Sequence, residues 1–224
     1  MELFKTPFSR AYWRCAAADA KKLRTLVFSA LMVAACVALG YLRSVPVVNN
    51  ISVSWGFLAR ALCALVGGPV NALLFGFVED TVGYFMSPGG PQGGYNPFYI
   101  LTTMLGVFTY ALFLYRAEVT VLRVFLAKLA TNLQNVFIGG LGTYLWYSGG
   151  KGYWVIVSGS AVKNAIMLPV QTIMLAALFA ALLPILHRMG FLPNQAGRLR
   201  LWKRPAWSEQ KRASKEDNAA PGEG

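Results

Sequence analysis

Five ionisable side chains lie inside apolar stretches of the sequence, where their presence calls for a chemical reason: Arg60, Glu79, Asp80, Lys128 and Lys163. An ionisable group in hydrocarbon costs several kcal/mol unless it is paired or hydrated, so each is a candidate for function. Glu79 and Asp80 are adjacent, and neighbouring residues on a helix point about 100° apart. An internal ion pair between Arg60 and one acid therefore leaves the other acid for a ligand, an outer loop or Lys163.

A second set of polar side chains lies on two later apolar runs. Lys163 and Asn164 stand together in VKNAIMLPVQT, and Thr131 and Asn135 share a helix face at i and i+4. Such groups either tie helices together or bind a polar ligand. Lys128 lies near a helix end, so we expect its side chain to extend to the nearer membrane surface.

Aromatic side chains are concentrated near one end of these runs, beside a loop at 87–97 that is rich in Gly and Pro. An interfacial aromatic belt explains most of them. With the loop, they would equally line and cover an outward pocket for a flat ring, because loops of this length are often functional. We expect Tyr84, Tyr95 and Trp154 to line such a pocket. The other members of the set are Phe85, Phe98, Tyr99, Tyr144, Trp146, Tyr147 and Tyr153.

The sequence holds no pattern typical of an enzyme or a metal site. Cys15, Cys36 and Cys63 are isolated from one another, and the single histidine, His187, lies at a helix end. There is no Gly-x-Ser-x-Gly, no P-loop and no His-Glu-x-x-His. We therefore predict that the chain is not an enzyme, binds no metal and has no cofactor of its own.

The elements that must position these residues are apolar runs long enough to cross a bilayer. The chain of 224 residues is 56% hydrophobic and 13% charged, with a mean hydropathy of +0.48, which is typical of a membrane protein. Breakers and polar clusters divide it into six predicted helices. They are 25–42, 55–66, 70–86, 97–115, 121–147 and a long last helix from 153 to 187 that bends at Pro169. The predicted fold is an all-α integral membrane protein, a bundle of six transmembrane helices.

The basic residues predict the orientation of this bundle. Six of the 21 Lys and Arg precede residue 25, eight lie from Arg188 onward, and Arg116 and Arg123 flank one connection. Six spans place all sixteen on one side and leave Arg43 and Lys151 on the other. By the positive-inside rule, both termini are cytoplasmic. We thus divide the chain into a cytoplasmic arm (1–24), a membrane domain (25–190) and a basic, partly disordered cytoplasmic tail (191–224), and read the net charge of +12 as a topology signal without nucleic-acid binding.

The first membrane run carries a stripe of small residues. Ala30, Ala34 and Ala38 repeat every four residues, which places them on one helix face. Small residues at this spacing let another helix approach closely, either within the bundle or in a partner subunit. Lipid does not favour an exposed alanine over an exposed leucine, so an exposed stripe would indicate a partner.

Several motifs in this order resemble a known family. The alanine stripe, GGPVNALLFGFVEDTVGYFMSPGG, NPFYILTTMLG, NVFIGGLGTYLW and VKNAIMLPVQ are similar to those of the folate-specific, substrate-binding S components (FolT) of energy-coupling-factor (ECF) vitamin transporters. The resemblance covers about residues 23–190. It implies a multi-pass protein of the cell membrane that captures folate from outside. It also implies delivery by toppling, on a module of a transmembrane T subunit and two ATPases that use ATP.

The resemblance also assigns roles to individual residues. Asp80, before Gly83, falls on an acid of the family, so we expect it to face the ligand and Glu79 to pair with Arg60 or the bundle. Asn135 falls on a family asparagine. Lys163 and Asn164 fall on a Lys-Asn pair; one turn earlier, where the family commonly has arginine, this chain has Ser160, and Arg60 would substitute. The alanine stripe falls on the surface that docks on the T subunit.

Other functions fit part of this pattern. A queuosine precursor shares the amidine-like edge of a pterin, and riboflavin would depend more on the aromatic residues than on the ions. A membrane scaffold would not require the acid, lysine and asparagines at mid-depth. A secondary transporter would be expected to show an internal repeat, and 23–115 and 120–190 show no convincing self-similarity.

Overall fold

The computed structural model describes most of the chain. The described residues are 9–41, 45–48, 51–53, 55–86, 95–147, 149–150, 152–192 and 199, with the backbone alone at 45–48, 51–53 and 147. The predicted pocket-covering loop, apart from 95–97, lies outside these residues. So does the predicted basic tail, apart from 191–192 and 199.

Helices account for nearly all of the described residues. Five helical stretches are long and apolar enough to cross a membrane: Leu23–Tyr41, Phe57–Phe85, Pro97–Leu114, Val121–Trp146 and Tyr153–Arg188. A short antiparallel hairpin, β1 (Val45–Val48) and β2 (Ile51–Val53), connects the first two. The helices are α1 (Arg10–Ala20), α2 (Leu23–Tyr41), α3 (Phe57–Phe85), α4 (Pro97–Leu114), α5 (Val121–Gln134), a π-helical turn (Asn135–Gly139), α6 (Gly140–Tyr147) and α7 (Tyr153–Arg188).

The α3 segment reverses direction in its middle. Arg60 and Glu79 are 19 residues apart, which on a straight helix would separate them by about 28 Å. Their side chains instead lie 2.9 Å apart, so 57–67 and 69–85 are antiparallel arms. The reversal is at Gly68, with φ 73° and ψ 179°, a conformation that is essentially restricted to glycine. The predicted break at Gly67–Pro69 is therefore present, although the segment is continuous by hydrogen bonding.

The two arms of α3 form the centre of the bundle. Almost every residue of the first arm is buried, and the second arm packs closely on α4. Gly76 permits this approach, because a Cβ atom there would lie 2.7 Å from the Met104 Cα atom. The close contact places the acids of the second arm against the polar face of α4.

A small helix that the sequence analysis did not predict is fixed to the end of the bundle where α3 reverses, which we call the reversal end. Asp19 of α1 accepts hydrogen bonds from the Tyr115 hydroxyl at 2.6 Å and from the Arg116 guanidinium at 2.7 Å, and it pairs with Lys22. Burial alone would raise the pKa of Asp19, but these three donors outweigh it and hold that pKa below its ordinary value. The Tyr115 ring also covers Gly68.

The start of α2 and the end of α7 meet at the same end of the molecule. Arg24 donates to the Met189 carbonyl oxygen, and its guanidinium lies 4.9 Å from the centre of the Phe191 ring. Because α1 leads directly into α2, the reversal end carries α1, the 115–120 turn and the last turn of α7. The run from 153 to 188 is a single helix that contains Pro169 and Pro184, in agreement with the prediction.

Candidate ligand-binding site

A cavity of about 540 Å³ lies between α3, α4, α5 and α7. This volume is within the range of small-molecule sites. Its wall combines charged, amide, hydroxyl and aromatic groups, so it suits a ligand that is both flat and polar. The lining residues are Phe57, Arg60, Glu79, Asp80, Gly83, Tyr84, Tyr95, Asn96, Tyr99, Thr102, Thr103, Gly106, Tyr110, Lys128, Thr131, Asn132, Asn135, Lys163, Asn164, Met167 and Gln171.

The two adjacent acids have different partners. Glu79 is buried and accepts two parallel hydrogen bonds from Arg60, at 3.1 Å from Nε and 2.9 Å from Nη2. Asp80 is half-buried and accepts one hydrogen bond, at 2.9 Å, from the Thr103 hydroxyl. Among the described residues, no donor reaches its second oxygen. The carboxylate of Asp80 therefore keeps acceptor capacity toward the cavity, whereas Arg60 and Glu79 neutralise each other.

Lys163, Asn164 and Asn135 also reach this cavity. Lys163 is exposed at the wall between it and a second cavity of about 390 Å³, which Asn135 and Ser160 line as well. The Asn164 side chain donates to the Ser160 carbonyl oxygen at 2.8 Å, on its own helix. Lys163 thus remains available to a ligand, while the amide donors of Asn164 are partly used.

Asn135 is placed by the π-helical turn. A π turn inserts extra backbone into a helix and is frequent at functional sites. The carboxamide of Asn135 lies over Gly139, where a Cβ atom would be 2.8 Å from Oδ1. This turn shifts the helical register after Gln134 and was not predicted from the sequence.

Tyrosines surround the cavity at the end opposite to the reversal end, which we call the open end. Tyr84 and Tyr95 pack edge to face with ring centres 5.0 Å apart, and the Tyr95 hydroxyl lies 2.7 Å from the Thr81 hydroxyl. Trp154 does not line the cavity: it is 73% exposed and packs on Tyr153. Of the three aromatic residues predicted to line a pocket, two do so and Trp154 does not.

The position of the Lys128 side chain differs from the one expected from the sequence. The side chain does not extend to a membrane surface. It is only 6% exposed, lines the cavity and holds its ammonium 4.8 Å from the centre of the Phe57 ring. The sequence carried a signal for this placement, because Lys128, Thr131, Asn132 and Asn135 form a polar stripe at helical spacing, and all four line the cavity.

Tyr110 and Gln171 are further lining residues that the sequence analysis did not single out as site residues. Both contribute a buried oxygen that has no hydrogen-bond partner among the described residues, Oη of Tyr110 and Oε1 of Gln171. Tyr110 lies on an apolar-looking helix, where an isolated tyrosine gives no sequence signal of its own. Gln171 belongs to the polar cluster VKNAIMLPVQT, although it was not among the predicted site residues.

The alanine stripe of α2 lies on the surface of the molecule. Ala30, Ala34 and Ala38 are all exposed, whereas Ser29 and Cys36 on the same helix face the core. No described part of the chain covers the stripe. The stripe therefore does not serve packing within the described bundle.

Comparison with known proteins gives a sequence relative and a structural relative. No protein-family profile matches the chain. The curated folate transporter FolT of Clostridium novyi (strain NT) is 28% identical over 158 residues, which cover 69% of this chain and 87% of that protein. A crystal structure of FolT bound with folic acid superposes with a TM-score of 0.57 at 24% identity, over 68% of this chain and 89% of that chain.

These similarities indicate the class of protein. The relative is a transporter, which agrees with the prediction that the chain is not an enzyme and has no cofactor of its own. Together with the five apolar helices, the similarities make the chain a multi-pass protein of the cell membrane. By sequence and by fold, it resembles the folate-specific FolT family, as its motifs predicted.

Proposed function

We propose that the protein is a substrate-binding S component that captures folate, or a related pterin vitamin, at the outer face of the cell membrane. It then delivers the ligand by docking to an ECF module of a T subunit and two ATPases. The likeness to a folate transporter and to a folate-bound FolT supports the ligand class. The ECF partners follow from the family resemblance of the motifs.

We further propose six membrane segments with both termini in the cytoplasm. The reversal at Gly68 supports this count, because it divides α3 into two arms. The first arm, at about 16 Å, spans only part of a core of about 30 Å, and its burial in the bundle permits a segment of this length. The orientation is supported by α1, the 115–120 turn and the last turn of α7, which share the reversal end and carry most of the described basic residues outside the membrane.

The observation that carries the ligand assignment is the free carboxylate oxygen of Asp80 in the same cavity as Lys163. The amidine-like edge of a pterin presents two N–H groups side by side, which match a carboxylate acceptor. The glutamate tail of folate is anionic, and an exposed lysine at the wall suits it. An acid and a base in one cavity thus match the two ends of one ligand.

Equilibrium binding of tritiated folate to the purified, detergent-solubilised protein tests this proposal. Asp80→Asn and Lys163→Met are each expected to weaken binding by about 10- to 100-fold, the range for hydrogen bonds to charged groups. Glu118→Gln and Lys21→Met make the same chemical changes outside the cavity and should bind like the wild type. Absence of saturable binding by the wild type would refute the function; normal binding by both site variants would refute only the site.

Competition with other ring compounds separates the alternative S-component functions. Unlabelled folate should displace the label at the lowest concentration. A queuosine precursor shares the edge that Asp80 would bind, so it is expected to compete more weakly because it lacks the glutamate tail. Riboflavin should compete least. Tighter binding of either compound than of folate would replace the proposed ligand.

The exposed alanine stripe supports docking on a partner, and a bulky residue there tests it. Ala34→Trp should preserve folate binding but abolish co-purification with the T subunit, since small residues permit close helix approach. Ala180→Trp places the same ring at an exposed alanine of α7 and should have no effect on either. Normal co-purification of Ala34→Trp would exclude the stripe as the docking surface.

A further inference from the structure

The ammonium of Lys128 lacks an anionic partner within the described part of the chain. Two buried acids pair with other cations, Asp19 with Lys22 and Arg116, and Glu79 with Arg60. Lys128 is 6% exposed, and the contact of its ammonium is with the face of the Phe57 ring. Burying a cation without a counter-charge costs free energy. A ligand group that supplies an anionic or polar acceptor for the ammonium would therefore bind tightly.

Tyr110 supplies a second donor without an acceptor in the same cavity. Its side chain is 3% exposed, and its hydroxyl makes no hydrogen bond to a described residue. Thr131 lies near this hydroxyl but outside hydrogen-bond geometry, and its own proton is donated to the Lys128 carbonyl oxygen at 2.9 Å. Buried polar groups are normally hydrogen-bonded. A buried hydroxyl without a partner inside a cavity therefore indicates that a ligand or a water molecule forms the missing hydrogen bond.

With Lys128 protonated, the charged groups in the cavity carry an excess of one positive unit. Three cations, Arg60, Lys128 and Lys163, face two carboxylates, Glu79 and Asp80. Because Arg60 and Glu79 pair with each other, the lining groups without an ion-pair partner among the described residues are one acid and two lysines. An anionic ligand is therefore favoured over a neutral or cationic one.

The two lysines lie in different surroundings. Lys163 is exposed, on the wall that leads to the second cavity, whereas Lys128 is buried beside Phe57. A single ligand that contacts both must therefore carry oxygen acceptors at two separate points. A pterin with a glutamate tail has this arrangement, with an oxo group on the ring and carboxylates on the tail.

We propose that Lys128 and Tyr110 form a buried subsite for an oxygen acceptor of the ligand, either the 4-oxo group of the pterin or a carboxylate of the glutamate. The subsite rests on the proposed function and adds to it, because it predicts which ligand atoms decide affinity. Lys128 donates from an ammonium and Tyr110 from a neutral hydroxyl, so we expect the lysine to contribute more of the binding free energy of the subsite.

Three ligands distinguish the two sources of the oxygen. Folic acid carries both groups, pteroic acid lacks the glutamate, and aminopterin has an amino group in place of the 4-oxo group. Dissociation constants are measured by isothermal titration calorimetry for the wild type, Lys128→Met and Tyr110→Phe. Lys21→Met is the matched control for loss of a lysine charge outside the cavity.

Lys128→Met is expected to weaken folic acid binding by about 10- to 100-fold, and Tyr110→Phe by about 2- to 10-fold. If the 4-oxo group occupies the subsite, the substitutions should weaken the binding of pteroic acid as much as that of folic acid. The binding of aminopterin, which has no 4-oxo group, should change little. If a glutamate carboxylate occupies the subsite, the substitutions should weaken the binding of aminopterin as much as that of folic acid. The binding of pteroic acid, which has no glutamate, should change little. Either pattern supports the subsite and identifies its occupant.

The outcomes that overturn the subsite are distinct from those that overturn the function. Unchanged affinity of both variants for all three ligands, with the wild type still binding folic acid, would refute the subsite alone. Equal weakening by Lys128→Met, Tyr110→Phe and the control Lys21→Met would show that the loss is not specific to the two site residues and would overturn the subsite. Tyr110→Phe removes one oxygen atom without a partner, so this variant keeps the test decisive if Lys128→Met fails to fold.

Discussion

Replacing Glu79 by glutamine is expected to destabilise the protein through the Arg60 side chain. The substitution keeps the volume of the side chain but removes its charge. Arg60 then remains in the bundle without the carboxylate that it binds through two parallel hydrogen bonds of 2.9 and 3.1 Å. The predicted loss therefore reports on the antiparallel arrangement of the two α3 arms.

The size of the effect follows from the burial of the pair. Removing one partner of a buried ion pair costs about 3–5 kcal/mol. The Glu79 side chain is 9% exposed, but that of Arg60 is 34% exposed toward the cavity, so water there partly stabilises the freed guanidinium. We therefore expect the lower end, about 3 kcal/mol, which for a chain of this size corresponds to a decrease in Tm of about 6–12 °C.

A double-mutant cycle isolates this interaction. Thermal unfolding in detergent is measured for the wild type, Glu79→Gln, Arg60→Gln and the double variant. The double variant should be more stable than the sum of the single losses predicts, with a coupling of about 2–3 kcal/mol. Glu118→Gln provides the same acid-to-amide change away from the pair. Strict additivity, or a Glu79→Gln variant as stable as this control, would show that the arms do not bring the two side chains together.

Three other substitutions test single positions. Gly68→Ala should destabilise the protein by about 1–3 kcal/mol from backbone strain alone, and by more because its Cβ atom would lie 2.9 Å from the Tyr115 ring. Thermal unfolding measures the loss of stability. Gly40→Ala is the control, because no atom lies within 4 Å of a Cβ atom there. Gly139→Ala should displace Asn135 and weaken folate binding by about 2- to 10-fold while Tm changes little; unchanged affinity would exclude Asn135 from the site. Asp19→Asn should lower Tm at pH 7, and this difference should shrink below about pH 4, because a depressed carboxyl pKa stabilises the fold only while that carboxyl is ionised. A difference independent of pH would contradict the charged role of Asp19.

The parts of the fold that were predicted depend on local patterns. Gly-Gly-Pro marks the reversal of α3 because few other sequences fit that backbone. The long α7 was predicted because neither of its prolines is accompanied by a turn cluster. In contrast, α1 is polar and mixed, and its position depends on contacts with Tyr115 and Arg116, which lie almost a hundred residues away. Such a helix has little local signal.

The site was predicted in the same uneven way. Different partners could be predicted for the two acids because adjacent side chains on a helix point in different directions. In the structure Glu79 pairs with Arg60, and Asp80 faces the cavity. Position along α5 was not sufficient for Lys128, because a long side chain can extend toward either end of its helix. The π turn was not predictable, because its residues also fit an ordinary helix. The proposed ligand roles of these residues remain predictions that binding measurements decide.

The attachment of α1 has a consequence for the time course of biosynthesis. Asp19 and Arg116 are separated by 97 residues, so the nascent helix has no docking partner when it leaves the ribosome. At a synthesis rate of about 5–20 residues per second, it waits roughly 5–20 s for the 115–120 turn. Its closure against Tyr115 and Arg116 is thus a late event, after the first spans have entered the bilayer. A change at Asp19 should accordingly delay maturation of the nascent chain without altering the order in which those spans insert.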